Sequence, residues 1–190
     1  LSSVSRGASV LELGAGTGKL AADLLLALDE LNQLPNQYCI LEVSVHLRQV
    51  QRDTLQERLP QALFGKVTWL DGLPNDFVGM ILGNEVLDAI PVHLLVKKEG
   101  GLYERGVAFD DGFQWQDKVL KSVDLADGLD VDLLPNDYLT EVCPAANGLI
   151  QSLGAALKTG AVLMIDYGFA ANEYYHPQRN EGTLMCHYQH

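Results

Sequence analysis

The sequence is short of basic residues. Its 190 residues hold 13 Lys and Arg against 25 Asp and Glu, for a net charge of −12. Such a surface repels nucleic-acid backbones, so no nucleic-acid partner is expected, and it attracts basic partners. Cysteine is scarce too. Cys39, Cys143 and Cys186 are odd in number, widely spaced and form no C-x-x-C pair, which suits free thiols in a reducing compartment. "CHYQH" (Cys186, His187, His190) is too irregular for a metal site, and in a strand Cys186 and His187 would face opposite sides. No apolar run approaches the ~20 residues of a membrane span. The opening "LSSVSRGAS" has neither the n-region nor the h-region of a secretory leader, and no initiator Met, so it reads as the interior of a longer chain. Repeats and low-complexity segments are absent. What remains is 47% hydrophobic and 20% charged, ordinary for a globular domain with a real core.

The charge is uneven. Residues 110–137 carry eight Asp and two Lys, Lys118 and Lys121, and so half the net charge. A solvated excursion accounts for this, and a guide for a cationic substrate is the sharper reading.

Periodicity gives the organisation. "SVLELG" (9–14) reads as a buried strand. Residues 17–33 read as a helix with Leu20, Leu24, Leu28 and Leu31 on one face, stopped by Pro35. "YCILEV" (38–43), "VTWLD" (67–71) and "FVGMILG" (77–83) are further strands, and "HLRQVQRDTLQERL" (46–59) is a polar helix with an apolar stripe. This alternation predicts an α/β fold, a mostly parallel twisted sheet with helices on both faces. It then breaks. "HLLVKKEGGLYERGVAF" (93–109) is a hairpin signal around Glu99-Gly100-Gly101, and "FQWQ" (113–116) adds a strand. A helix from Asn147 to Lys158, the strand "AVLMIDYG" (161–168) and a last strand "GTLMCHY" (182–188) resume the pattern. The simplest account is a single domain over 1–190 with residues 92–138 inserted as a hairpin and acidic excursion.

"LELGAGTGKLAADLL" follows the first strand, and its Gly14, Gly16 and Gly18 admit a nucleotide close to the backbone. A Walker A loop fails twice: its first Gly position holds Leu13 and its Mg²⁺ hydroxyl position holds Leu20. The spacing G-x-G-x-G is one shorter than the dinucleotide fingerprint, whose third small residue would be Lys19, which disfavours NAD. Glu42 at the second strand end would bind a ribose diol with either ligand. Glu12 is an acid inside an apolar strand, and Asp71 in "LDG" ends the third strand, near an adenine amine. Carboxylates with no basic group suit the sulfonium of S-adenosylmethionine and poorly suit a diphosphate.

"GNEVLDAIPVH" (83–93) follows the fourth strand, where ligands of open α/β sheets bind. If a helical turn starts there, Glu85 and Asp88 share a face at i, i+3, beside Asn84. Two such carboxylates could clamp a guanidinium and take up its proton as a nitrogen attacks a methyl group. The bland alternative is a cap and a buried Asp. Asp166 and Tyr167 end the strand "AVLMIDYG", and Tyr174, Tyr175, His176, Arg179 and Asn180 lie in the loop beyond. Asp166 would face the site or cap the next turn.

Taken together, "LELGAGTGKLAADLL", "NEVLDAIPVH", "TEVCP" (140–144) and "EYYHPQRNEGTLMCHYQH" (173–190) resemble the MidA family over nearly the whole chain. The resemblance implies a Rossmann-like class I methyltransferase core that uses S-adenosylmethionine. It implies a protein substrate with an accessible arginine, as for the family's mitochondrial complex I assembly factor. Gly14, Gly16 and Glu42 would bind the cofactor, with Asn84, Glu85 and Asp88 lining the reaction site. His176 and Arg179 would close over it, and Glu141 is marked by resemblance alone. The implied compartment is mitochondrial in a eukaryote and cytoplasmic in a bacterium. Family members are about twice as long, with an N-terminal helical region and further strands, so the sequence reads as a core whose uncovered sheet edge admits a homodimer. The rival readings are a cofactor-binding assembly chaperone, a small-molecule methyltransferase and an NAD-dependent oxidoreductase.

Overall fold

The computed structural model describes residues 7–121, 123–126 and 128–185. They fall into two compact units. One holds the chain up to Ala89 together with Gly148–Tyr167, and the other holds Ile90–Asn147 and the chain from Gly168 on. The second unit is therefore larger than the expected 92–138 insertion.

The first unit is a parallel sheet. Strands β1 (Ser9–Leu13), β2 (Tyr38–Leu41), β3 (Val67–Leu70), β4 (Phe77–Asn84) and β9 (Leu157–Ile165) lie in the order β3-β2-β1-β4-β9. Every neighbouring pair is parallel. Helices α1 (Lys19–Glu30), α2 (Val45–Arg58) and α3 (Gln61–Phe64) supply Ala21, Ala22, Leu25, Leu55, Leu59 and Leu63 to a core with Tyr38 and Ile40. The alternate strand residues, Leu11, Leu13, Cys39 and Ile81, pack instead with Leu153 of α4 (Pro144–Ala156). Helices thus lie on both faces of the central strands β1 and β2, as the period-two alternation requires, whereas most of β9, with Val162, Leu163 and Ile165, is exposed. Leu25 and Leu55 are fully buried, each contributing about 1.5–3 kcal/mol.

Several boundaries differ from expectation for local reasons. Helix α1 ends before Pro35 because Asn32 takes a left-handed φ of 54°. The N–H of Asn32 then reaches the Asp29 carbonyl at 2.9 Å and that of Gln33 reaches Leu28 at 2.8 Å, a Schellman closure that needs no proline. Helix α4 starts at Pro144 rather than Asn147, since proline fits the first helical turn. Strand β9 begins four residues early, at Leu157, and takes Gly160 into the sheet. There the strands approach so closely that a Cβ on Gly79 would lie 1.8 Å from the Ser9 carbonyl oxygen, and one on Gly160 would lie 1.7 Å from that of Gly79.

The second unit is an antiparallel sheet of β5 (His93–Lys98), β6 (Gly101–Phe109), β7 (Phe113–Val119) and β8 (Tyr138–Val142), ordered β7-β6-β5-β8. The hairpin and the third strand appear as the alternation indicated. Strand β8 was not anticipated; it pairs with β5 in antiparallel register, Val96 opposite Leu139. The strand expected over 182–188 does not form up to Met185. Glu181 makes only a single bridge to Leu139, because the Glu141 side chain takes the N–H groups of Thr183 and Leu184. Residues 186–190, with Cys186, His187 and His190, lie outside the described residues.

Candidate active site

In the first unit, β1 ends in a loop whose three glycines are all left-handed, with φ of 58° at Gly14, 52° at Gly16 and 82° at Gly18. L-residues avoid that region, and a Cβ on Gly18 would also press on the Gln51 backbone at 3.3 Å. Gly18 begins α1 without a side-chain cap. The first-turn N–H groups of α1 are therefore open to a ligand carboxylate.

Glu42 follows β2 and is buried. Its Oε1 accepts the Ser44 N–H at 2.9 Å, and its Oε2 accepts Gln51 Nε2 at 3.0 Å. Gln51 donates also to the Gly16 carbonyl at 3.0 Å and accepts Trp69 Nε1 at 2.9 Å. One fully buried amide thus ties the glycine loop, the β2 acid and β3 together. Sequence reasoning missed Gln51, although it stands between Leu47 and Leu55 on the apolar stripe of α2. Each oxygen of Glu42 keeps a lone pair for a diol hydroxyl. Val43 beside it is 95% exposed, an apolar shelf at the β2 end.

Glu12 lies on the α1–α2 side of the sheet, almost wholly buried, and accepts the Tyr38 hydroxyl at 2.7 Å. Burial pushes its carboxyl above the usual range, against the lowering effect of that bond. Burial and the facing carboxylate likewise push the Tyr38 phenol far up.

The expectation of a site without a basic group is corrected at Asp71. Arg48, in the first turns of α2, reaches back across the strand ends. It donates to Asp71 at 2.6 Å, to the Glu42 carbonyl at 2.6 Å and to the Leu70 carbonyl at 2.7 Å. The Asp71 side chain is otherwise 93% exposed. Its charge is paired at the rim.

Past β4, no helical turn forms. Glu85 is left-handed at φ 50° and its N–H donates to the Ile165 carbonyl at 2.8 Å. The supposed shared helical face of Glu85 and Asp88 is therefore absent. Asp166 organises the turn instead, its Oδ2 accepting the N–H groups of Leu87 at 2.9 Å and Asp88 at 3.3 Å. The Tyr167 hydroxyl donates to Asp88 Oδ2 at 2.5 Å. That bond raises the Tyr167 phenol, as do desolvation and the charges of Asp88, Asp166 and Glu85. Asp88 thus holds the phenol, within the field of Asp166 and Glu85, and Asn84, Glu85 and Asp88 are exposed. Tyr167 was noted in the sequence only as the strand's last residue.

His176 and Arg179 belong to the second unit, and Asp166 to the first. In the second unit, the Tyr138 hydroxyl donates to the carbonyls of Tyr174 at 3.3 Å and His176 at 3.1 Å. Arg179 lies 3.8 Å from the Phe169 ring centroid and 3.4 Å from Glu173. Buried Glu141 accepts Tyr174 Oη at 2.5 Å, Thr183 N–H at 2.7 Å and Thr183 Oγ1 at 3.1 Å. Burial, then the bond to Glu141, pushes Tyr174 up to about 12. The loop is pinned to β8 by these bonds.

Residues 2–190 match the family described as "Putative S-adenosyl-L-methionine-dependent methyltransferase". The chain belongs to that family. It is the family read from the sequence as MidA, with a class I methyltransferase fold. A solved structure of an uncharacterized protein from Burkholderia thailandensis matches with a TM-score of 0.91 at 45% identity, over 97% of this chain and 50% of that one. A second from that organism, bound to S-adenosyl-homocysteine, matches with a TM-score of 0.89 at 45% identity, over 98% and 49%. The mitochondrial protein arginine methyltransferase NDUFAF7 of Bos taurus is 31% identical over 84% of this chain and 42% of its own length. That of Xenopus tropicalis is 29% identical over 84% and 43%. The chain spans under half the length of these curated relatives.

Proposed function

We propose that this chain carries the cofactor site of an S-adenosylmethionine-dependent methyltransferase that modifies an arginine side chain of a partner protein. The observation that carries the reading is the Gln51 amide, which locks the left-handed glycine loop to the Glu42 carboxylate. Glu42 would hold the ribose hydroxyls, Val43 would underlie the adenine, and the open first turn of α1 would take the methionine carboxylate. Gly14, Gly16 and Gly18 would let the backbone approach. Glu12, buried and bonded to Tyr38, would brace the strand that leads into the loop, and Asp71 would act at the rim with Arg48. The cofactor supplies an electrophilic methyl group on a sulfonium.

Around that methyl, Asn84 and Glu85 would line the approach, and Asp88 would hold one face of a guanidinium. Asp166 keeps the turn in place and Tyr167 orients Asp88. Glu85, whose carboxylate is exposed, would accept the proton that the attacking nitrogen loses. His176 and Arg179 would contact the substrate from the 168–185 loop. An acidic site and a net charge of −12 favour a basic protein segment over an anionic substrate. The relatives' names support arginine, and they support a mitochondrial compartment for a eukaryotic source; for a bacterial source the cytoplasm is proposed. Among the described residues no helix is long and apolar enough to cross a membrane.

Calorimetric titration with S-adenosylmethionine and with NAD, on the wild type and Glu42→Ala, tests the cofactor assignment. The expected result is binding of S-adenosylmethionine alone, weakened ~100-fold by the substitution, as for losing hydrogen bonds to a charged acceptor. Preference for NAD would overturn it. Methyl transfer to an arginine-containing basic peptide, lost in Glu85→Gln, tests the substrate class. Tight cofactor binding with no transfer to any arginine would favour an assembly chaperone instead.

A further inference from the structure

The β6–β7 ribbon of the second unit has an apolar face turned to water. In register, Val107 stands opposite Trp115, Phe109 opposite Phe113 and Tyr103 opposite Val119. The side chains of Val107, Phe109, Phe113, Trp115 and Val119 therefore share one face, and they are between 60% and 84% exposed. Phe109 and Phe113 already meet edge to face, their centroids 5.4 Å apart. The opposite face of the ribbon carries Glu104, Gln114, Gln116 and Lys118. The pattern is inverted for a free surface: a polar face would serve as well there, and a patch of three aromatics and two valines marks an interaction site.

Over β8 the same face is covered by the 168–185 loop, through the bonds that Glu141 makes to Tyr174 and Thr183. Over β6 and β7 that cover ends. β7 is also the outermost strand of its sheet.

We propose that this face binds its own copy about a two-fold axis, forming a homodimer. Two features of the ribbon favour a second copy. The first is area. Aromatic side chains bury ~150–250 Å² each, so the five residues would remove roughly 600 Å² per copy, near the ~800 Å² per partner of a standard interface. The second is charge. The β6–β7 turn carries Asp110 and Asp111, and the chain just past the far end of β7 carries Lys121. Turned antiparallel, the acidic tip of one copy meets the basic end of the other, twice, as an isologous interface requires. Between the apolar residues Asp117 is held by Arg105 at 2.8 Å and by Lys98 at 2.9 Å, so each of these charges already has a partner.

Sedimentation velocity on the 190-residue chain, over a range of micromolar concentrations, tests this. The wild type is expected to dimerise. Phe113→Asp is expected to raise the dissociation constant ~100-fold, as for a central aromatic anchor, with an unchanged circular dichroism spectrum because Phe113 is exposed. Asp111→Lys and Lys121→Glu should each dimerise poorly alone and pair with one another when mixed, since only the mixed dimer has opposite charges at both ends. A monomeric wild type would overturn the proposal and leave the face to another protein or chain segment. So would a dimer indifferent to Phe113→Asp, or charge variants that do not rescue each other.

Discussion

The central strands of the parallel sheet in the first unit are packed from both sides by apolar side chains, while the antiparallel sheet of the second has a smaller buried centre, at Leu94, Leu95, Val96 and Tyr138, and is tied beyond it by carboxylates. In the first unit Leu11, Leu25, Ile40, Leu55 and Ile81 are fully buried, and its carboxylate ties lie outside that core, at the strand ends, where Glu42 accepts from Ser44 and Gln51 and Asp166 from Leu87 and Asp88. In the second, Asp117 is shared by Arg105 at 2.8 Å and Lys98 at 2.9 Å, and Glu141 accepts from Tyr174, Thr183 and Leu184. Meanwhile Phe113 and Trp115 stay in water. Helices cover the central strands of the first unit with an apolar layer on both faces, which gives out at β9, where Val162, Leu163 and Ile165 are exposed. A loop covers a sheet only where its own backbone groups are satisfied, and in the second unit carboxylates satisfy them.

The difference can be broken most violently at the tight seam of the first unit. Gly79→Ala places a methyl group against the Ser9 carbonyl and imposes a side chain on φ of 147°. A loss of more than ~4 kcal/mol is expected from clash and backbone strain together. Urea unfolding should show it, along with loss of cofactor binding. A variant of near wild-type stability would mean that the seam relaxes. Next in size, Glu141→Ala leaves the Tyr174 and Thr183 hydroxyls and two N–H groups without their acceptor. About 2–3 kcal/mol is expected. Limited proteolysis should then cut the 168–185 loop of the variant faster than that of the wild type. Equal rates would mean that the loop is held by other contacts.

The first unit was largely legible because its signals are local. A glycine loop after an apolar run, an acid after the next strand and leucines at helical spacing each declare themselves within a few residues. Even the missed Gln51 interrupts a stripe that was seen. The second unit escaped where its order depends on distant partners. Nothing within "YLTEV" says that it pairs with β5, some 40 residues earlier in the chain. Nothing near "GTLM" says that Glu141 will claim its N–H groups. The turn after β4 failed for the same reason: the i, i+3 spacing of Glu85 and Asp88 suggested a helix, and Asp166, far along the chain, made a different turn. The acids at the strand ends were named, but the contacts that aim them were not.

The mildest test sets the two acids against each other by pH. Burial raises Glu12 in the folded state. Its contribution to stability is therefore complete below the unfolded value of 4.5 and is lost as pH rises through the higher folded value. Asp117 is the reverse. Its bond to Arg105, with help from Lys98, depresses it far below 3.8, so its contribution is complete above that value and is lost as pH falls. Urea unfolding across the acidic range should therefore show a wild-type optimum bounded by both acids. Glu12→Gln should flatten the decline on the neutral side and leave the acid side unchanged. Asp117→Asn should flatten only the acid side, and, because Asp117 is partly solvated, by the smaller amount. An effect of either variant on the other's flank would mean that another group titrates there. Separate flanks would show that Glu12 costs stability where it must ionise and that Asp117 costs it where it must take up a proton.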